Sequence, residues 1–308
     1  MQDTPHIPVM LNEVLENLNI KDGGVYVDGT FGNGGYTSAI LDKANTKVIA
    51  FDRDETVLPR VKELKDKYGE RFTFFQNCFS QILPTFQNNG IDKVNGLVLD
   101  IGVSSMQIDT PERGFSFRFD APLSMAMGKN DLDAKEVINN FSESELSDIF
   151  YKYGEEPRSR ALARRIVSLR GEKPICTTFE LVGIIKNLFG EWQASKITPR
   201  IFQALRIFVN DELGELEHIL SDSESLLKSG GRLVVVDFHS LEDRIVKNFI
   251  KSKTEAKQTF SRYVPIDIKN NENLSFKSVN KNAIIPSKQE VDVNPRARSA
   301  KLRVVEKL

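Results

Sequence analysis

Residues 25–41, VYVDGTFGNGGYTSAIL, decide the fold. A short apolar run ends in Asp28, four glycines follow within seven residues, and a helical pattern starts after them. Glycine crowded between a strand and a helix marks a backbone that passes close to a ligand, although turns and helix packing use glycine too.

Working outward, apolar runs of strand length recur at 25–28, 47–52, 72–75 and 96–100. Unbroken runs of this kind suit a parallel sheet covered on both faces. Between them, Val57, Val61, Leu64 and Tyr68 stand at helical spacing. Strand alternating with helix predicts an α/β, doubly wound, Rossmann-like sheet. The rhythm breaks near residue 112. SESELSDIFYKYG, PRSRALARRIVSLRG and TTFELVGIIKNLFG then read as helices stopped at Gly154, Gly171 and Gly190. Phe202, Leu205, Val209, Leu213 and Leu216 keep helical spacing, as the core of one helix returning to the sheet. Strand character resumes in GRLVVVDF, residues 231–238. The polar stretch 253–294 predicts irregular chain, and Ala300, Leu302 and Val304 alternate with Lys301 and Arg303 as a closing strand. The expected organisation is a cofactor-binding domain of residues 1–111 and 206–308, interrupted by a helical insertion of residues 112–205.

The 308 residues are 40% hydrophobic and 28% charged, an ordinary soluble composition. A formal net charge of −1 means that nucleic-acid affinity has to come from a local basic surface. The opening MQDTPHIPVM lacks the basic and apolar regions of a secretory signal, and no apolar run reaches the roughly 20 residues of a membrane span. The expectation is a cytoplasmic protein with no membrane partner. Cys78 and Cys176 form no C-x-x-C pair, and His6, His218 and His239 have no zinc spacing, so reduced thiols and no metal are expected.

Two acids sharpen the glycine loop. Asp52 ends the second strand, 20 residues beyond Gly32, and Asp100 ends the fourth. With Asp28 they would rim one crevice at the carboxyl ends of the strands, where acids accept hydrogen bonds from ribose hydroxyls. A dinucleotide loop would read G-x-G-x-x-G, but the frame from Gly32 ends on Thr37; no lysine follows the glycines as in a P-loop. A nucleoside without phosphates, carrying an amino-acid tail and a positive sulfur, fits better: S-adenosyl-L-methionine.

Six ordered blocks carry a closer likeness: HIPVMLNEV, DGTFGNGGYT, DIGVSSMQIDTPERGFSFRFDAPLSM, TPRIFQALRIFVNDELGEL, GGRLVVVDFHSLEDRIVK and NPRARSAKLRVVEK. Over nearly its whole length the chain resembles the RsmH (MraW) family of ribosomal-RNA small-subunit methyltransferases. The resemblance implies a Rossmann-like S-adenosylmethionine-dependent methyltransferase sheet. It implies methylation of the N4 amino group of a decoding-centre cytosine in 16S rRNA, with the assembled small ribosomal subunit as partner. Carried over by position, the cofactor contacts would be Gly34, Gly35, Tyr36, Asp52, Phe79, Asp100 and Gln107. Tyr36 stands where the family usually has histidine, and Met106 where it often has proline or phenylalanine. A homodimer is among the assemblies left open.

Cytosine N4 is a poor nucleophile, and acceptors for its N–H groups would turn the lone pair toward the methyl. No D/N/S-P-P-Y/F motif follows the fourth strand; Asp100, Ser104 and Ser105 are candidates there. His239 is the tempting base, against a reading in which Ser240 caps the next helix and His239 is a loop residue. The catalytic residue is therefore left open. For RNA, Arg113 and Arg118 interleave with Phe115, Phe117 and Phe119, suited to stacking a base and holding phosphates. Arg158, Arg160, Arg164, Arg165 and Arg170 form the insertion's basic cluster. The rival readings are a methyltransferase acting on a non-RNA substrate and a non-catalytic ribosome-assembly factor with a relic pocket.

Overall fold

A computed structural model describes residues 8–128, 132–255 and 274–308. The chain divides into two compact units, 1–102 with 213–308 (unit 1) and 103–212 (unit 2).

Unit 1 is the α/β sheet. In chain order it contains α1 (Leu11–Asn17), β1 (Val25–Asp28), α2 (Gly35–Lys43), β2 (Lys47–Asp52), α3 (Leu58–Tyr68), β3 (Phe72–Gln76), α4 (Ile82–Asn89) and β4 (Val94–Asp100). Strand order is β3-β2-β1-β4-β5-β7-β6, where β5 is Leu227–Asp237, β6 Phe276–Ser278 and β7 Lys301–Lys307. The first five strands pair in parallel, whereas β7 runs antiparallel to both β5 and β6. This is the Rossmann-like α/β sheet that the alternating apolar runs predict.

The apolar runs are unbroken because both faces are covered. Val27, Ile49, Phe51, Leu97, Leu99, Leu233 and Val235 share one core with Ile82 and Phe86 of α4. The alternate residues Tyr26, Val48, Ala50, Val98, Val234 and Val236 are buried too. On that second face Leu18 packs against β1 and β4, since a Cβ at Gly96 would meet the Leu18 and Tyr26 side chains, each at 2.9 Å. Strand order reverses between β1 and β4, and ligands bind at such a switch point, outside the carboxyl ends.

Unit 2 contains α5 (Ser105–Asp109), α6 (Ala134–Asn140), α7 (Glu143–Lys152), α8 (Ser159–Arg170), α9 (Thr178–Phe189) and α10 (Glu191–Asn210). Its core joins Leu146, Ile149, Phe150, Leu162, Ile166, Leu181, Ile185, Ile201 and Leu205. Ser142 and Thr177 each close a capping box, which fixes where α7 and α9 begin. The units divide at 102/103 and 212/213 rather than at 111/112 and 205/206. The reason is local: α10 runs unbroken to Asn210, and Val209 belongs to the unit 2 core.

Two further expectations change. The expected single returning helix is two, because Asp211 turns left-handed (φ 48°) after α10 and α11 (Glu212–Leu226) starts afresh. The stretch expected to be irregular holds the last part of α12 (Ser240–Thr254), the whole of β6 and α13 (Lys288–Val293). Residues 256–273 of it, and His6, lie outside the described residues.

Candidate functional site

Four adjacent parallel strands end in an aspartate: Asp52 on β2, Asp28 on β1, Asp100 on β4 and Asp237 on β5. Each strand brings its acid to the same edge, so the row straddles the switch point. Asp28 is fully buried and staples the glycine loop to α2; Oδ2 accepts from Thr37 Oγ1 at 2.7 Å and Oδ1 from the Thr30 N–H at 3.2 Å. Burial still pushes its carboxyl up to about 6. Asp52 accepts the Gly32 N–H at 2.7 Å and the Asp54 N–H at 2.8 Å, and burial raises it to about 6. A carboxylate has about four lone-pair sites, so Asp52 keeps acceptor capacity beyond these two bonds.

Asp100 differs, because its Oδ1 is buried with no hydrogen-bond partner. The backbone beneath it is fixed: the Asp100 N–H donates to Thr30 Oγ1 at 2.7 Å. Burial, then the neighbouring Asp28 charge, pushes the Asp100 carboxyl up to about 8. A buried carboxyl oxygen without a partner is costly and calls for a cation or donor to meet it.

The glycine loop is not simply an opening for ligand. A Cβ on Gly29 would meet Leu99 at 2.5 Å, on Gly34 the Leu64 side chain at 2.7 Å, and on Gly35 the Pro8 ring at 2.1 Å. Packing within unit 1 therefore requires three of the four glycines. Gly32 (φ 51°) has only the Thr30 carbonyl oxygen near, at 3.9 Å, and is the open position. Gly34 (φ 68°) starts α2 without a side-chain cap, leaving that helix's positive end toward the loop. Tyr36 is buried and donates its hydroxyl to the Val9 carbonyl; burial, with Asp100 and Asp28 nearby, raises it well above the ordinary tyrosine value. Phe79 is half-buried beside Gly29, its Cβ 3.5 Å from where a Gly29 Cβ would stand.

This donor and acceptor set suits S-adenosylmethionine. Asp52 can take ribose hydroxyls, Asp100 offers a buried carboxyl oxygen with no hydrogen-bond partner, and the loop with the α2 terminus offers N–H groups to a carboxylate.

Asp237 was not singled out from the sequence, although LVVVD repeats the pattern of VYVD, VIAFD and LVLD. It is fully buried with neither carboxyl oxygen partnered, and burial, then Asp243 and Glu242, pushes it up to about 8. The consequence for stability has a definite sign. An unfolded aspartate ionises near pH 4, so between about pH 4 and pH 8 the folded state binds more protons at this residue. Stability therefore falls as pH rises through that window, by up to about 1.4 kcal/mol per pH unit. Asp237→Asn should gain thermal stability over the parent protein, with the gain growing from pH 5 to pH 8 in melting curves. A gain independent of pH would contradict this account.

His239 caps α12 itself: Nδ1 accepts the Glu242 N–H at 3.4 Å while Glu242 Oε2 accepts the His239 N–H at 3.2 Å. The cap is thus His239 and not Ser240. A side chain committed to this box at Nδ1 has only Nε2 for other work; Nε2 lies 2.9 Å from Glu242 Oε1 without hydrogen-bond geometry.

Within unit 2, Gln107 closes the α5 capping box, Oε1 accepting the Ser104 N–H at 2.9 Å. Arg113 donates to the Ala126 carbonyl at 2.7 Å and lies 5.7 Å from the Phe115 ring centre, a structural tie. Arg118 and Phe119 are exposed, and Phe117 meets Phe202 edge-on at 5.5 Å. The arginine cluster splits as well. Arg170 donates to the Ile138 carbonyl and Arg158 lies 4.2 Å over the Phe189 ring, whereas Arg160, Arg164 and Arg165 are exposed. Arg164 approaches Glu143 at 3.4 Å.

Residues 3–308 match the model of the MraW methylase family. The chain belongs to that family. Ribosomal RNA small subunit methyltransferase H of Rickettsia massiliae is 48% identical over 300 residues, 97% of this chain and 96% of that protein. Its namesake in Rhodospirillum rubrum is 47% identical over 309 residues, 99% of this chain and 94% of that protein. In this member of the MraW family, the aspartate row and the glycine loop are carried by unit 1 alone. No described helix is long and apolar enough to cross a membrane.

Proposed function

We propose that the protein transfers a methyl group from S-adenosylmethionine to the N4 amino group of a decoding-centre cytosine in 16S rRNA of the small ribosomal subunit, in the cytoplasm. The observation that carries the reading is the buried Asp100 Oδ1, without a hydrogen-bond partner, at the switch point of the sheet. Relatives matched over nearly their full length are ribosomal RNA small subunit methyltransferases, which supports the substrate class.

When bound, S-adenosylmethionine supplies a methyl group already activated by its positive sulfur. The chain has to position the partners and manage charge and a proton. Asp52 holds hydroxyl donors at the end of β2, with its carboxylate fixed by the Gly32 and Asp54 N–H groups. Gly34, Gly35 and Tyr36 serve through their backbone, since the Tyr36 side chain is taken up beneath the loop. Phe79 borders the base from beside Gly29. Asp100 is the acid suited to accept an N–H of the target amine and to receive the proton released, its carboxyl titrating close to neutral pH. Unit 2, with Arg118, Arg164 and Arg165 exposed, supplies basic surface for rRNA.

The deciding experiment is mass spectrometry of nucleosides from undermethylated small subunits incubated with the protein and labelled cofactor. The expected product is N4-methylated cytidine. Label on protein or on another nucleoside would replace this reading, and cofactor binding without turnover would favour an assembly factor.

A further inference from the structure

We propose that a cavity at the β5–α12 turn is a second nucleotide subsite, receiving a ribonucleotide of the RNA beside the one being modified; the inference rests on the proposed rRNA methylation. The cavity, about 390 Å³, lies within unit 1 between the Phe238–Ser240 turn and residues 285–301 of the tail. That volume falls in the range of small-ligand pockets, about 300–1,000 Å³.

Its wall is apolar and its mouth is cationic. Phe238, Ile285, Pro286 and Val291 line it, and Ile285 is 69% exposed, a large aliphatic surface left to solvent. Arg298 lines it too, is exposed, and has no ionic or hydrogen-bond partner among the described residues. The other lining cation, Lys301, is held by Asp243 at 2.8 Å, so Arg298 is the guanidinium left to meet an anion. The 15-residue helix α12 begins at Ser240 on the same lining. Its end, however, is capped by His239 and Glu242 and its first turn carries Glu242 and Asp243, so the anion contact falls to Arg298. His239 completes the lining with a buried Nε2 that has no hydrogen bond.

A phosphate at Arg298, with a base or ribose against Phe238 and the aliphatic wall, satisfies both halves of this chemistry. Position along the sheet agrees. β5 neighbours β4 and β7 neighbours β5, so the cavity stands one to two strand spacings from Asp100, roughly 5–10 Å. That is the reach of an adjoining nucleotide, and sequence around the target would be read there.

The test is equilibrium binding of a fluorescent, single-stranded 16S rRNA fragment containing the target cytosine, across a salt series, alongside turnover on small subunits. Arg298→Glu should weaken binding at least about tenfold and lower the log–log salt slope by about one. Arg298→Lys should keep most of the affinity, and unchanged melting curves for both variants would show intact folding. Equal affinity and slope for Arg298→Glu and the parent protein would overturn the subsite whatever the turnover. Weaker binding with an unchanged slope would overturn it as well, since the contact would not be to phosphate. A parent protein that binds the fragment but transfers no methyl group would instead overturn the proposed function.

Discussion

Asp100→Ala should lower methyl transfer to small subunits by about two to three orders of magnitude, the loss expected when a preorganised charge in a water-poor site is removed. The effect is large because Oδ1 is already desolvated and has no hydrogen-bond partner, leaving it free to meet a bound one. Asp100→Asn separates shape from charge: it should fold at least as well as the parent protein yet show nearly the same defect. The pH profile adds a second check. With the carboxyl at about 8, the ionised acceptor grows about tenfold per pH unit below that value and then levels off. Activity of the parent protein should rise from pH 6 to pH 8, and Asp100→Asn should lose that rise. Retention of near-parental kcat/KM in Asp100→Ala would remove Asp100 from the chemistry.

The largest loss of stability is expected in unit 2, from Gly114→Ala. Gly114 has φ 72°, and a Cβ there would stand 2.2 Å from the Pro122 carbonyl oxygen and 2.9 Å from the Ser124 nitrogen. Both obstacles are backbone, and the strand-like segment they belong to is tied down. Pro122 bridges Thr177, the Leu123 N–H donates to the Cys176 carbonyl, and the Met125 N–H donates to the Arg113 carbonyl. A left-handed non-glycine residue costs about 1–2 kcal/mol, and displacing pinned backbone brings the total to about 3 kcal/mol or more. Gly183→Ala is the contrast, a helix-interior glycine of α9 with nothing within 4 Å of an added Cβ. It should stabilise by about 0.5–1 kcal/mol. Thermal melts should separate the two variants by several degrees in opposite directions, and a neutral Gly114→Ala would show that the turn yields.

The sheet was legible because its strands are buried on both faces and therefore read as unbroken apolar runs, each closed by an acid. The helices of unit 2 were legible where a capping serine or threonine opens them and a glycine closes them. β6 escaped notice because three residues, Phe276 to Ser278, carry no period, and α13 because KQEVDV buries no residue. The break at Asp211 has neither glycine nor proline to announce it, since aspartate tolerates the left-handed region. Spacing places glycines but not what fills the space beside them, so the packing of Gly29 against Leu99 and of Gly35 against Pro8 emerges only in three dimensions. Asp237 could have been read by the same rule as the other three acids. Its surroundings are distinguished by α12, which brings Asp243 and Glu242 near it, and by the neighbouring β7, which brings Lys301 and Arg303.

The interruption of the sheet also shapes the birth of the protein. β4 and β5 are neighbours in the sheet, with Leu97 paired to Leu233, yet all of unit 2 is translated between them. At about 5–20 residues per second, a nascent chain carries the sticky inner edge of β4 unpaired for roughly 6–25 s before β5 emerges. During that interval β4 lacks its β5 neighbour, and an unpaired edge of this kind is a template for pairing with another chain.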